Sequence, residues 1–276
     1  MAKVVGVFGM GHAPNLVTTF EKAGPEVCEG VLAGCAEVSR RIRAAGATTL
    51  ITISNDHFNA FSLGNFPTFC VGVGDSWVGP EDDLRQQRVV VQGNRPLGLH
   101  IAQHLLEQAG FDPAMSWHLT LDHGTYVPVR FVMPEFDLPL IPIFQNTVQP
   151  PLPTLRRAAA FGAALRRAIE SAPGDDRVAI IGCGGISHFI GVPNQGSINN
   201  AFDLRFLDLI KAGQLESLIG LSRDEMLAAG NGAEEIRNWI AAMSAAEAHP
   251  AELLFYAAVP AWLIGVGIAD FHYSSN

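Results

Sequence analysis

Cysteine is scarce in this chain: four residues in 276, Cys28, Cys35, Cys70 and Cys183, with no CxxC spacing. That excludes a disulfide framework and fits a reducing cytoplasm, with Cys28 and Cys35 packed on one helix face. Charge is scarce too, at 16% of residues, and basic residues are the minority, 18 against 27 acidic, for a formal net charge of -9. A nucleic acid or an anionic membrane surface is therefore a poor partner, and a small molecule a better one. Uncharged and mostly apolar runs of membrane-spanning length are nearly absent. The exception is 253–269, which is interrupted by Pro260, Gly265 and Gly267 and flanked by Glu252 and Asp270 rather than by Lys or Arg. It reads as a buried helix followed by a buried strand, not as a membrane span. No signal-peptide pattern opens the sequence, and no repeat of solenoid length runs through it.

What is present is apolar: 48% of residues, in short runs that alternate with amphipathic stretches. Val4, Val5, Val7 and Phe8 predict a buried strand that ends in Gly9, Met10 and Gly11 and then presents His12. Thr48 to Ser54, rich in β-branched residues, predicts a second, leading into Asn55, Asp56 and His57. Arg177 to Cys183 predicts a third, running into Gly184, Gly185 and His188. Thr68 to Val73 reads as a further strand, and the proline-broken 138–144 as an edge strand or irregular extended segment. Helices are expected over 25–45, 96–109, 153–172, 202–212, 222–230 (opened by the capping-box pair Ser222 and Glu225) and 232–245. Asp122 and Gly124 suggest a turn before a short apolar element. The polar, glycine-rich 189–201 reads as a substrate-facing loop. Together these predict one α/β domain over 1–276, a central, mostly buried mixed sheet flanked by helices, with its site at the strand C-terminal ends.

Three histidines, His12, His57 and His188, each terminate a strand-like run, and His123 follows a turn-rich segment. Strands opening on one sheet edge would bring them together. His100 and His104, four apart on a polar helix face, read instead as a solvated pair. Two imidazoles and one carboxylate on one face of a metal constitute the site of non-haem Fe(II) oxygenases, and the same ligands serve hydrolytic zinc. Residue types alone leave that choice open. The expected carboxylate lies in 232–239, where Glu234 and Glu235 are adjacent and point about 100° apart on a helix, so that one of them faces the site. Asn55 and Asp56 are candidates for orienting His57, Tyr126, Asn199 and Asn200 for meeting substrate, and Arg130 for meeting a substrate carboxylate.

The motifs HAPN at His12, NDHF at His57, LDHG at His123, GGISH at His188 and GAEEIRNW around Glu235 occur in an order that resembles the class III extradiol ring-cleavage dioxygenases, the LigB-type superfamily of the protocatechuate 4,5-dioxygenase β subunit. The resemblance spans roughly residues 4 to 240. It implies an Fe(II) cofactor ligated by His12, His57 and Glu235, with Glu234 a bystander. It further implies that His188 is the acid/base group and His123 a second pocket histidine, acting on a catecholic or aminophenolic ring and O2. A cytoplasmic homo-oligomer is implied as well, and some relatives add a small α subunit. A zinc hydrolase on the same ligands and a non-catalytic Memo-type binding protein are the competing readings.

Overall fold

Aliphatic residues on both sides of neighbouring strands require a sheet covered on two faces, and the chain builds one. A computed structural model describes residues 1–272. The strands are β1 (Lys3–Met10), β2 (Thr49–Ser54), β3 (Phe69–Gly72), β4 (Ser76–Gly79), β5 (Val89–Gln92), β6 (Ala114–Ser116), β7 (Leu140–Gln145), β8 (Arg177–Cys183), β9 (Glu252–Val259) and β10 (Ile264–Asp270). The helices are α1 (Asn15–Thr18), α2 (Pro25–Ala44), α3 (Arg95–Gln108), α4 (His123–Val132), α5 (Leu155–Ser171), α6 (Asn200–Lys211), α7 (Leu215–Ile219), α8 (Arg223–Ala229) and α9 (Ile236–Ala245). Eight strands form a mixed sheet in the order β6-β3-β7-β2-β8-β1-β10-β9, and β4 and β5 form a separate hairpin.

The alternation of side chains sorts two cores. Ile51 and Ile53 of β2 and Val178 and Ile180 of β8 face α3, α5 and α9, while Leu50, Ala179 and Ile181 face α2 and α4. A register shift between Val4 and Gly6 in β1 puts Val4 and Val7 on the first face and Phe8 and Met10 on the second. Each buried Ile or Leu contributes about 1.5–3 kcal/mol, so a one-residue slip that exchanged the faces would be strongly disfavoured.

The central neighbours β2, β8 and β1 are mutually parallel. Their C-terminal ends, Ser54, Cys183 and Met10, therefore open on one edge, and the histidine-bearing segments leave from there.

Two expectations are corrected. The 253–269 run holds no α-helix: β9 and β10 form an antiparallel hairpin joined through the short 3-10 turn Pro260–Trp262. Its first arm lacks alternation because α2 and α6 both pack on β9, and an unbroken apolar run cannot distinguish helix from strand. The 138–144 segment is not an edge, since β7 lies between β3 and β2. Pro142 is tolerated there because pairing with β3 stops at Val71 and Ile143, and Gly72 has no Cβ where one would stand 2.8 Å from the proline ring. The apolar element after Asp122 is helix α4, capped by the Asp122 side chain, which accepts from Gly124 N–H at 2.9 Å.

Candidate metal and substrate site

Each strand end delivers its histidine to one place. His12 follows β1, His57 follows β2, His188 follows β8, and His123 opens α4. The carboxylate comes from the short turn before α9. There Glu234 turns aside to pair with Arg237, while Glu235 is buried and faces the imidazoles. Glu235 Oε2 lies 3.1 Å from His12 Nε2 and 3.7 Å from His188 Nε2, and Oε1 lies 3.4 Å from His57 Nε2. Ligand atoms of His12, His57 and His123 also lie within 4.8 Å of one another.

Hydrogen bonds fix these groups. Asp122, wholly buried, accepts from His57 backbone N–H at 2.7 Å and stands 2.8 Å from its Nδ1. With a ring proton held on Nδ1 by Asp122, Nε2 is the ring nitrogen that faces Glu235. Asp82 holds His123 through Nδ1. Gly185 N–H donates to Glu235 Oε2 at 2.7 Å. Behind Glu235 runs a buried amide chain: Gln145 donates to Asn238 at 3.0 Å, Asn238 to Asn55 at 3.1 Å, and Asn55 to Glu235 at 3.4 Å. Asn55 Nδ2 also lies 2.9 Å from His57 Nε2. His188 is seated by close packing, since a Cβ on Gly232 would stand 2.2 Å from its Nε2. Its Nδ1 is 3.3 Å from Ile186 C=O, which directs Nε2 inward.

The electrostatics follow from burial and pairing. Burial alone would raise the Glu235 carboxyl, but the His12 and His188 imidazoles outweigh it and hold the group well below its ordinary value. Burial also opposes charge on His57, yet Asp122 and then Glu235 push its pKa up to about 10. Burial and the neighbouring His57 hold His123 below the usual histidine value. His12 Nδ1 is buried and has no hydrogen-bond partner among the described residues. Convergent imidazoles around a buried carboxylate fit a divalent cation, which would relieve the desolvation of Glu235.

The four imidazoles and Glu235 form one end of a cavity of about 210 Å³, and Phe189, Ile190, Trp262, Leu263 and Ile264 contribute its apolar wall. Several expected residues lie elsewhere. Tyr126, Asn199 and Asn200 do not line this cavity. Tyr126 is buried against Phe136, Asn199 caps α6 by accepting from Phe202 N–H at 3.1 Å, and Asn200 accepts from Tyr256 O–H at 2.8 Å. Asp56 does not touch the His57 ring; its carboxylate accepts the backbone N–H groups of Asn59, Ala60 and Phe61. Arg130 is exposed on α4. His100 and His104 both bond Ser171. Conversely, Asp122 read as a turn residue, and Asp82 carries no local signal that marks it for the site. The sequence signal for Asp122 was its place beside His123 in LDHG.

Residues 6–267 match the family described as the catalytic LigB subunit of aromatic ring-opening dioxygenase. Curated relatives include 2,3-dihydroxyphenylpropionate/2,3-dihydroxicinnamic acid 1,2-dioxygenases. The one from Klebsiella pneumoniae (strain 342) is 28% identical, covering 90% of this chain and 91% of its own. The one from Cupriavidus necator is 29% identical over 93% and 94%. Among solved structures, an uncharacterized protein from Escherichia coli K12 superposes with a TM-score of 0.59 at 11% identity, covering 96% of this chain and 99% of its own, a likeness of fold alone.

Proposed function

This chain belongs to the LigB family of catalytic subunits of aromatic ring-opening dioxygenases, and on that premise we propose that it opens a catecholic or aminophenolic ring beside the diol with Fe(II) held by His12, His57 and Glu235. The observation that carries the reading is the meeting of His12 and His57 at Glu235, with His188 and His123 in the same cavity. When bound, ferrous iron supplies open positions on one face for a chelating diol and O2, and an electron path between them.

The protein's own groups do the rest. Asp122 holds the His57 proton on Nδ1, so that Nε2 is free to ligate. His188, with Nδ1 directed at Ile186 C=O, presents Nε2 as the base that takes a substrate hydroxyl proton and later returns it to the leaving oxygen. His123, anchored by Asp82, faces the ring of His57 at a centroid distance of 3.8 Å and serves as the second hydrogen-bonding group beside the substrate. The apolar wall shields the reacting ring from water. Four free cysteines accord with a cytoplasmic setting, and no helix among the described residues is long and apolar enough to cross a membrane.

The test is anaerobic reconstitution of the metal-free protein with Fe(II) or Zn(II), followed by catechol and air. Oxygen uptake with a yellow ring-opened product is expected with iron alone. No oxygen uptake and no coloured product with iron, for any catechol or aminophenol tried, would overturn this reading.

A further inference from the structure

Part of the cavity lining is apolar surface that stands partly exposed. Ile190 and Leu263 are 52% and 39% exposed, and both border the cavity. Isolated exposed aliphatics need no explanation, but these two are held in place. Asn231 clamps the Ile190 backbone from both sides, accepting its N–H at 2.9 Å and donating to its C=O at 2.8 Å. Leu263 sits in the left-handed region at φ 64°, a conformation that L side chains with bulk rarely adopt. Next to it Trp262 is buried, stacked on Phe20 and anchored by donating from Nε1 to Thr19 C=O at 3.2 Å. Phe189 and Ile264 complete the surface.

The uncharged polar residues at this cavity are Asn15 and Gln195, and among the described residues no Arg or Lys lines it. The residues outside the described ones, 273–276, include neither. Arg130, expected from sequence as a carboxylate anchor, is exposed on α4 and interacts with Tyr126. The ionised groups behind the imidazoles, Glu235, Asp82 and Asp122, are all carboxylates.

Resting on the catechol-opening reading above, we propose that the substrate is a 2,3-dihydroxyphenyl ring bearing a short uncharged apolar chain, seated against Phe189, Ile190, Trp262 and Leu263. It differs in this from the propionate and cinnamate acids named for the relatives. The diol addresses the imidazole end, and the chain covers the two aliphatics that are exposed without it. A terminal carboxylate in the same place would lose its water against apolar side chains and meet no counter-charge.

The matched probes are 3-propylcatechol and 3-(2,3-dihydroxyphenyl)propionate, which share ring and chain length and differ in the terminal group. In the iron-loaded enzyme, kcat/KM for 3-propylcatechol is expected to exceed that for the acid by about tenfold or more, the order of leaving one polar group unpaired against apolar side chains. In zinc-loaded protein under argon, where no ring opens, calorimetric Kd values should rank the same way. Leu263→Arg should raise the acid's relative kcat/KM by about tenfold, the order of one charge-assisted hydrogen bond, and Ile190→Arg, at a second exposed position, is the companion variant. Equal or reversed ranking of the two probes in both measurements overturns the proposal while ring opening itself persists. Loss of ring opening for every catechol tried overturns the functional reading instead, and the Kd ranking in the zinc-loaded protein then still decides the nature of the wall.

Discussion

Asp122→Asn is the sharpest perturbation of the metal end, because it changes one charge and almost no volume. Asp122 Oδ2 receives both the His57 backbone N–H at 2.7 Å and the ring Nδ1 at 2.8 Å, while Oδ1 caps α4 through Gly124 N–H at 2.9 Å. An asparagine can keep its oxygen on only one side. If the oxygen stays at the helix cap, its amide N–H groups face His57, clash with the backbone donor and push the ring proton from Nδ1 to Nε2, where it blocks ligation. Losing such an orienting partner typically costs 10–100-fold in metal affinity, about 1.4–2.8 kcal/mol. The assay is chelator-competition titration of Fe(II) or Zn(II) into the metal-free protein, with circular dichroism to verify the fold. Asp56→Asn is the control: Asp56 serves the backbone of 59–61 and not the imidazole, so it should leave metal affinity within about twofold. Metal affinity unchanged in Asp122→Asn, or equally reduced in both variants, would refute the assignment of His57 orientation to Asp122.

Further outcomes follow from the same geometry. His188→Ala should retain iron, by metal analysis, while turnover falls by roughly 10²–10⁴, the usual worth of a general acid/base; His12→Ala should lose the metal, and equal iron loss in both would overturn the division of roles. Gly232→Ala places a methyl 2.2 Å from His188 Nε2, so thermal unfolding should show a loss of about 1–3 kcal/mol, as overpacking does, together with lowered kcat. Asp203→Asn tests a buried carboxylate whose pKa burial raises. Tyr256 Oη stands 2.8 Å from both Asp203 Oδ2 and Asn200 Oδ1 with one proton to give. A group with a raised folded pKa favours folding most at low pH, and here stability should fall as pH climbs from the ordinary aspartate value near 4 to the raised one. Denaturant titrations across pH should show that slope in the parent and not in the variant, which gains about 1 kcal/mol at neutral pH by supplying a permanent N–H donor.

The residues legible in the sequence were those whose role follows from local pattern. Branched residues at 49–54 and 177–183 announced strands, and a histidine after each apolar run announced the shared edge, because parallel neighbours must open on the same side. That one of Glu234 and Glu235 faces inward was legible from helix geometry, whereas the choice of Glu235 came from the motif resemblance; in the structure Arg237 captures Glu234. What stayed hidden was long-range. Asp122 contacts His57 across 65 residues and Asp82 contacts His123 across 41, and no local periodicity encodes which acidic residue of a loop lands beside which imidazole. A second reason moved Asn199 and Asn200 from substrate to scaffold. A polar run before a helix satisfies cap geometry as well as it would satisfy a ligand, and capping claimed Asn199. The wall was hidden for a third reason. Trp262 and Leu263 belong to the connector of a hairpin that reads by composition as continuous apolar sequence, and only strand pairing on either side turns those two residues toward the cavity. Metal-end chemistry is thus written in residue type and spacing, whereas substrate selection is written in a turn, and the ranking of 3-propylcatechol against its carboxylated counterpart reads out that turn directly.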